Sequence, residues 1–170
     1  MEESPVKIGF KIAEPEDKLF LARVCREANY HYSKKTPGVY ERLAVKFEKE
    51  GLPEIYSIYL IQNHDENIGF LGFSGLNKKL IYLVGLYLLL DYQRQGYGGV
   101  ILNNFLEELT ASGYEEIILL AHKKAHWAIT FYKNNRFELI SSNFETIKNY
   151  AGGLMWDFAL PAAVLMKRHI

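Results

Sequence analysis

The chain has few covalent or electrostatic devices for holding itself or a partner. It has a single cysteine, Cys25, in 170 residues, so it can form neither an internal disulfide nor a structural zinc site. That scarcity fits a reducing compartment. Lys plus Arg number 20 and Asp plus Glu number 20, so the formal net charge is zero. Without a basic field, nothing draws nucleic acid or an acidic membrane to the surface by charge. Hydrophobic stretches are also limited: Leu80–Leu90 is too short to cross a bilayer, and Asp157 interrupts the apolar C-terminal run. Met-Glu-Glu-Ser-Pro at the start has no basic region ahead of an apolar one, so no signal peptide is expected. There is no internal repeat, no low-complexity tract and no linker long enough to separate domains. These absences lead to a soluble, cytoplasmic, single domain over residues 1–170 with no metal, monomeric or homodimeric. Its 49% hydrophobic content supports a sizeable core.

What is present is a regular alternation of strand and helix patterns. Val6–Ile12 alternates as a first strand. From Glu16 an apolar stripe (Leu19, Phe20, Ala22, Val24, Ala28) predicts a helix to about Tyr32, and a second follows over Val39–Lys49. Glu54–Gln62 and Asn67–Leu76 read as a hairpin joined by Asn63-His-Asp-Glu66. The unbroken apolar run Leu80–Leu90 reads as a central strand buried on both faces. A helix to about Ser112 buries Ile101, Leu102, Phe105, Leu106 and Leu109. Glu116–Ala121 is a second buried strand, and a helix runs from about Ala125 to Asn135. Phe137–Ser141 is a strand, a polar connection reaches Gly153, and Leu154–Leu160 is expected as the last strand.

The stretch Asp91-Tyr-Gln-Arg-Gln-Gly-Tyr-Gly-Gly-Val100 sits between the central strand and its helix. Glycines at 96, 98 and 99 let backbone N–H groups converge, and the following helix adds its free N-terminal N–H groups and dipole. The expected guest is an anion, a diphosphate above all. A nucleotide P-loop is excluded because no Lys-Ser or Lys-Thr follows. The dinucleotide fingerprint is excluded because its third glycine would fall at Ile101. What remains is Gln93-x-x-Gly96-x-Gly98, together with a second segment, Ala128-Ile-Thr-Phe-Tyr-Lys-Asn-Asn-Arg-Phe137.

In these two motifs and their separation the chain resembles the GNAT superfamily of N-acetyltransferases, and the order of elements resembles that fold. The resemblance implies an α/β fold with a central mixed β-sheet flanked by helices, binding acetyl-CoA as co-substrate. It implies that main-chain groups of Leu86, Tyr87 and Leu88 pair with the pantetheine arm as an added strand. Arg94, Gln95, Gly96, Tyr97, Gly98 and Gly99 would wrap the pyrophosphate. Tyr132 stands at the position of a general acid toward the departing thiolate, a phenol whose pKa is close to that of a thiol. The activity implied is transfer of acetyl to a primary amine of a small molecule or peptide, by direct attack in a ternary complex.

Three departures from the family pattern matter. Ala125 stands where Asn is frequent, Arg136 replaces the glycine before Phe137, and Leu120 occupies the place of a glutamate base in some relatives. The base is therefore open: His122 has a suitable ordinary pKa, and Asp91, Tyr82 or a water chain are alternatives. The aromatic residues Tyr30, Tyr32 and Tyr40 are candidates for the acceptor pocket, by cation–π contact with an amine. Lys123, Lys124, Lys133 and Arg136 read as a local basic cluster, either a solvated helix edge or a contact for coenzyme A phosphates. A non-catalytic acyl-CoA-binding module and a nucleic-acid-associated adaptor are the rival functions. The acceptor itself has no readable motif.

Overall fold

A computed structural model describes residues 6–28, 30 and 38–170. Seven strands form a mixed sheet in the order β1-β2-β3-β4-β5-β7-β6. The chain divides into two compact units, residues 1–73 with 85–107 and residues 74–84 with 108–170. The cut passes through β4 (Leu80–Leu88).

In the first unit, β1 (Ile8–Ile12) pairs antiparallel with β2 (Ser57–Asn63), from Ile8↔Asn63 to Ile12↔Tyr59. β2 turns back into β3 (Glu66–Gly75) through His64 and Asp65, with a register shift at Ile61/Gln62. His64 carries the positive φ (54°) that this short connection needs. α1 (Lys18–Ala28) buries Leu21, Ala22, Val24 and Cys25, and most of the continuation expected to Tyr32 lies outside the described residues. α2 (Val39–Glu50) lies beside it and ends where Gly51 turns left-handed at φ 76°. Arg26 of α1 bonds Glu41 at 3.2 Å and also bonds Glu48, tying the two helices together. Their apolar faces join Phe47, Ile58, Leu60, Phe70 and Leu89 in one core. α3 (Tyr97–Ala111) buries the five residues that its stripe predicts. Its Phe105 packs on Phe10, Tyr59 and Phe73, with ring centroids 5.6–6.4 Å away.

In the second unit, β4 pairs in parallel with β5 (Glu116–His122), from Leu80↔Glu116 to Leu83↔Leu119. β5 leads into α4 (His126–Asn134) and β6 (Glu138–Ser141). The expected last strand is the main correction. Leu154–Phe158 forms turns, Ala159 and Leu160 are irregular, and the strand is β7 (Ala163–His169), which lies between β5 and β6 and pairs antiparallel with both. The connection expected to be merely polar contains α5 (Phe144–Lys148), capped by the Asn143 side chain on the Thr146 N–H, and the short α6 (Tyr150–Gly153). The physical reason is spacing. Met155 is fully buried, Trp156 is 57% exposed, and the next anchor is Phe158, stacked on Tyr82 at 4.7 Å. Anchors three apart fit a turn and not a strand's two-residue alternation. Leu154 itself is helical (φ −63°, ψ −15°), which excludes extended structure at its start. Among the described residues, no helix is long and apolar enough to cross a membrane, and no group of three or more His, Cys, Asp or Glu could hold a metal.

Candidate functional site

The glycine stretch begins where β4 changes character. Its first residues, Leu80–Leu83, are buried, whereas Val84–Leu88 are half-buried. Leu89 donates its N–H to the Ile68 carbonyl at 2.9 Å, and a Cβ on Gly69 would stand 2.1 Å from the Tyr87 carbonyl oxygen. The main-chain groups of Tyr87 and Leu89 thus face β3. By strand alternation those of Leu86 and Leu88 face the other way. The Leu88 carbonyl is taken by the Gln93 side chain at 2.9 Å, so of the three residues expected to pair with an added strand, Leu86 is the one that alternation turns away from β3.

A 3-10 turn, Leu90–Tyr92, follows. The chain then reverses through Arg94 (φ 59°) and Gly96 (φ 83°) into α3. A Cβ at Gly96 would meet nothing within 4 Å, so the positive φ, and not lack of room, calls for glycine there. Gly98 and Gly99 are not in the turn, as the sequence suggested, but in the first turn of α3. Their N–H groups have no intrahelical carbonyl to bond and point out of the N-terminus. Arg94 and Gln95 are exposed and Tyr97 is half-buried. The arrangement turns several N–H donors out of the start of α3, with Arg94 in the turn that precedes it.

Three side chains hold this segment, and sequence reasoning gave none of them that role. The Gln93 side-chain amide donates to the Leu88 carbonyl at 2.9 Å and to the Glu27 carbonyl at 3.3 Å. The Glu27 carboxylate accepts the Leu90 N–H at 3.0 Å. The Tyr92 hydroxyl donates to Glu66 at 2.7 Å, and that bond to a carboxylate is the main cause pushing its pKa up to about 12. Gln93 was visible as the first letter of the motif; Glu27 had no signal beyond being an acid in the last turn of a helix.

Tyr132 lies in α4, 9% exposed, with Phe137 at 5.4 Å and Phe131 at 5.1 Å between ring centroids. The helix ends in a Schellman motif. The Phe137 N–H bonds the Tyr132 carbonyl at 3.0 Å, and the Arg136 N–H bonds the Lys133 carbonyl at 3.1 Å. The left-handed residue this motif needs is Arg136, at φ 66°, in place of glycine. The Tyr132–Phe137 contact is the apolar clasp that goes with such an ending. Ala125 is the buried residue preceding α4 and offers no side-chain cap. Leu120 packs against the core around Ile118 and Leu165.

His122 accepts the Lys124 N–H on Nδ1 at 3.1 Å, and its carbonyl accepts the Ala125 N–H at 2.9 Å. A neutral imidazole accepting at Nδ1 carries its proton on Nε2. Tyr82 is 4% exposed in the core beside Phe158, and Asp91 is exposed. The expected basic cluster is not one patch. Lys123 and Lys124 precede α4 while Lys133 and Arg136 lie at its far end, separated by nine residues of helix, about 13 Å at 1.5 Å per residue. At that far end the Arg168 guanidinium donates to the Asn135 carbonyl at 2.9 Å. Burial, and then the like charge of Arg136, push its pKa down.

Of the acceptor candidates, Tyr40 packs edge-on against Tyr87 at 5.7 Å, Tyr30 is 69% exposed, and Tyr32 lies outside the described residues. An open depression of about 720 Å³ lies at the start of β4 and β5, lined by Lys79, Glu115 and Tyr150 among others. It contains none of the expected site residues. Its Lys79 and Glu115 pair with each other at 2.8 Å.

The mixed sheet, the strand that turns through a left-handed glycine loop into a helix N-terminus, and the Tyr132–Phe137 helix ending define an acyl-CoA-type transferase scaffold. The model of the acetyltransferase (GNAT) family matches residues 23–137. The chain belongs to the GNAT acetyltransferase family. No curated protein sequence matches it. Among solved structures it is similar to an acetyltransferase from Thermus thermophilus (16% identity, 97% of this chain and 98% of that one, TM-score 0.69). It is also similar to the PaiA N-acetyltransferase of Thermoplasma acidophilum in complex with coenzyme A (16% identity, 96% and 99%, TM-score 0.65). A third is the ribosomal-protein-S18-alanine N-acetyltransferase of Escherichia coli (17% identity, 96% and 94%, TM-score 0.65). At these identities the likeness is one of fold.

Proposed function

We propose that the protein transfers acetyl from acetyl-CoA to a primary amine of a small molecule or peptide, acting as one domain in the cytoplasm. The observation that carries the reading is the segment from Leu86 to Gly99. It joins the main-chain groups of Leu86 to a left-handed turn and the N-terminus of α3. A pantetheine arm bonds such a strand as an extra strand would, and a pyrophosphate suits the converging N–H groups with Arg94 beside them. The solved relative bound to coenzyme A supports the choice of ligand.

In the reaction the amine nitrogen attacks the thioester carbonyl, the carbon–sulfur bond breaks, and sulfur leaves with the bonding pair. Tyr132 gives its phenolic proton to that sulfur and is reprotonated from solvent. The attacking amine loses its extra proton to a base. His122 holds its Nδ1 lone pair against the Lys124 N–H, so serving as base costs it that bond. A chain of ordered water leading to solvent is the other acceptor for that proton. Orientation and main-chain donors toward the carbonyl oxygen supply the remaining acceleration. The same engagement of His122, with Leu120 packed in the core, favours a second reading: an acyl-CoA-binding module without turnover.

Calorimetry with coenzyme A tests the loop. Gly98→Val adds a side chain at the mouth of α3 while raising helix propensity at that position. The variant is expected to bind at least about tenfold more weakly without losing thermal stability; unchanged affinity would reduce the loop to a turn. Thiol release from acetyl-CoA in the presence of polyamines, amino acids and peptide N-termini, with the acetylated product identified, separates the transferase from the binding module.

A further inference from the structure

The geometry points to Glu27 as a positioning residue that sets the shape of the anion loop from the end of α1, an inference that rests on the coenzyme A reading above. Glu27 lies in the last turn of α1, where an acidic side chain opposes the negative end of the helix dipole. Within its own helix the carboxylate has one partner, Arg23, and the loop supplies the other. One carboxylate oxygen accepts the Leu90 N–H at 3.0 Å, the first N–H of the 3-10 turn that follows Leu89, a turn without a side-chain cap of its own. The other oxygen meets Arg23 at 2.7 Å, which offsets the misplaced charge. The Glu27 carbonyl accepts from the Gln93 side chain at 3.3 Å, and Gln93 holds the Leu88 carbonyl at 2.9 Å. Glu27 therefore grips both ends of the Leu90–Tyr92 turn, across 63 residues of sequence.

Two consequences follow for binding. Arg94 to Gly99 start directly from the turn that Glu27 caps, so the direction of the N–H groups meant for a pyrophosphate depends on α1. The Glu27 carbonyl also accepts the Tyr30 N–H at 3.1 Å, so the chain leaving α1 toward the Tyr-rich segment is anchored at the same residue. Glu27 touches no reacting atom. It acts through the backbone of the loop.

The test uses the full chain as wild type, Glu27→Ala and Glu27→Gln, with coenzyme A as probe. Glu27→Gln keeps an oxygen for the Leu90 N–H, loses the charge and removes the conflict with the dipole. Expected results are an approximately tenfold rise in Kd for Glu27→Ala, near-complete rescue in Glu27→Gln, and faster amide exchange from Leu90 to Gly99 in Glu27→Ala only. A merely structural residue would lower the melting temperature of Glu27→Ala and leave the Kd of the folded protein in place. That result, or a Glu27→Gln variant as weak as Glu27→Ala, overturns the inference. A wild type that binds no coenzyme A overturns the functional reading itself, and is told apart because it precedes any comparison of variants.

Discussion

Arg136 occupies the one position of the α4 ending that a side chain should avoid. Its left-handed backbone, φ 66°, costs an L-residue about 1–2 kcal/mol, while glycine would give back about 0.5–1 kcal/mol in chain entropy. Arg136→Gly is expected to stabilise the protein by about 0.5–1 kcal/mol and to relieve the like charge next to Arg168. A higher urea midpoint at an unchanged slope would bear this out; a lower one would mean that the Arg136 side chain holds more than its strain costs. Tyr132 is the residue whose chemistry is at stake. Phenylalanine there keeps the ring against Phe137, so Tyr132→Phe should fold normally and bind coenzyme A normally. Its kcat should fall about 10- to 1000-fold; an unchanged kcat leaves the tyrosine as the clasp of the helix ending. Arg136 was legible in the sequence because it breaks a motif letter. The engagement of His122 was not, because it depends on how the turn after β5 brings the Lys124 N–H onto the ring.

Among the elements, β3 and β4 are locked by an approach so close that only glycine fits. A methyl on Gly69 would lie 2.1 Å from the Tyr87 carbonyl oxygen and 3.0 Å from the Leu88 Cα, both backbone atoms. Gly69→Ala should therefore cost about 1–3 kcal/mol, the range for forced overpacking, measured by denaturant unfolding. It should also disturb coenzyme A binding, since Leu88 moves with the strand. A neutral outcome would mean that the strands separate easily. Most elements were legible because their apolar period is long and uniform, as in α3 and β5. The stretch after β6 was not. Leu154–Leu160 is more hydrophobic than a turn usually is, because Met155 and Phe158 fill the core from irregular backbone. The true strand ends in Lys167-Arg168-His169, which hides it. The left-handed turn before α3 was legible by its glycines, but Glu27 was not, because its partners are distant in sequence.

At the scale of the whole molecule, stability should depend on alkali in a particular way. Burial pushes the Cys25 thiol from 9.0 up to about 12, and burial likewise pushes Tyr56 from 10.0 to about 12, in the same core. Both folded values exceed the unfolded ones, so their contribution is fully present below about pH 9 and is lost as pH rises from there through about 12. Urea midpoints should be level up to about pH 9 and fall beyond it, and Cys25→Ala should flatten the first stage of that fall. A midpoint indifferent to alkali would mean that the core opens to solvent more readily than its packing suggests. The thiol should also resist alkylating reagents at neutral pH while the protein is folded. The position of β7 bears on how the chain is made. Because Ala163–His169 inserts between two strands that precede it in the chain, β5 and β6 cannot take their places in the sheet until that late segment has joined them. During that interval the facing edges of those strands are open to chaperones or to the same edges of neighbouring nascent chains.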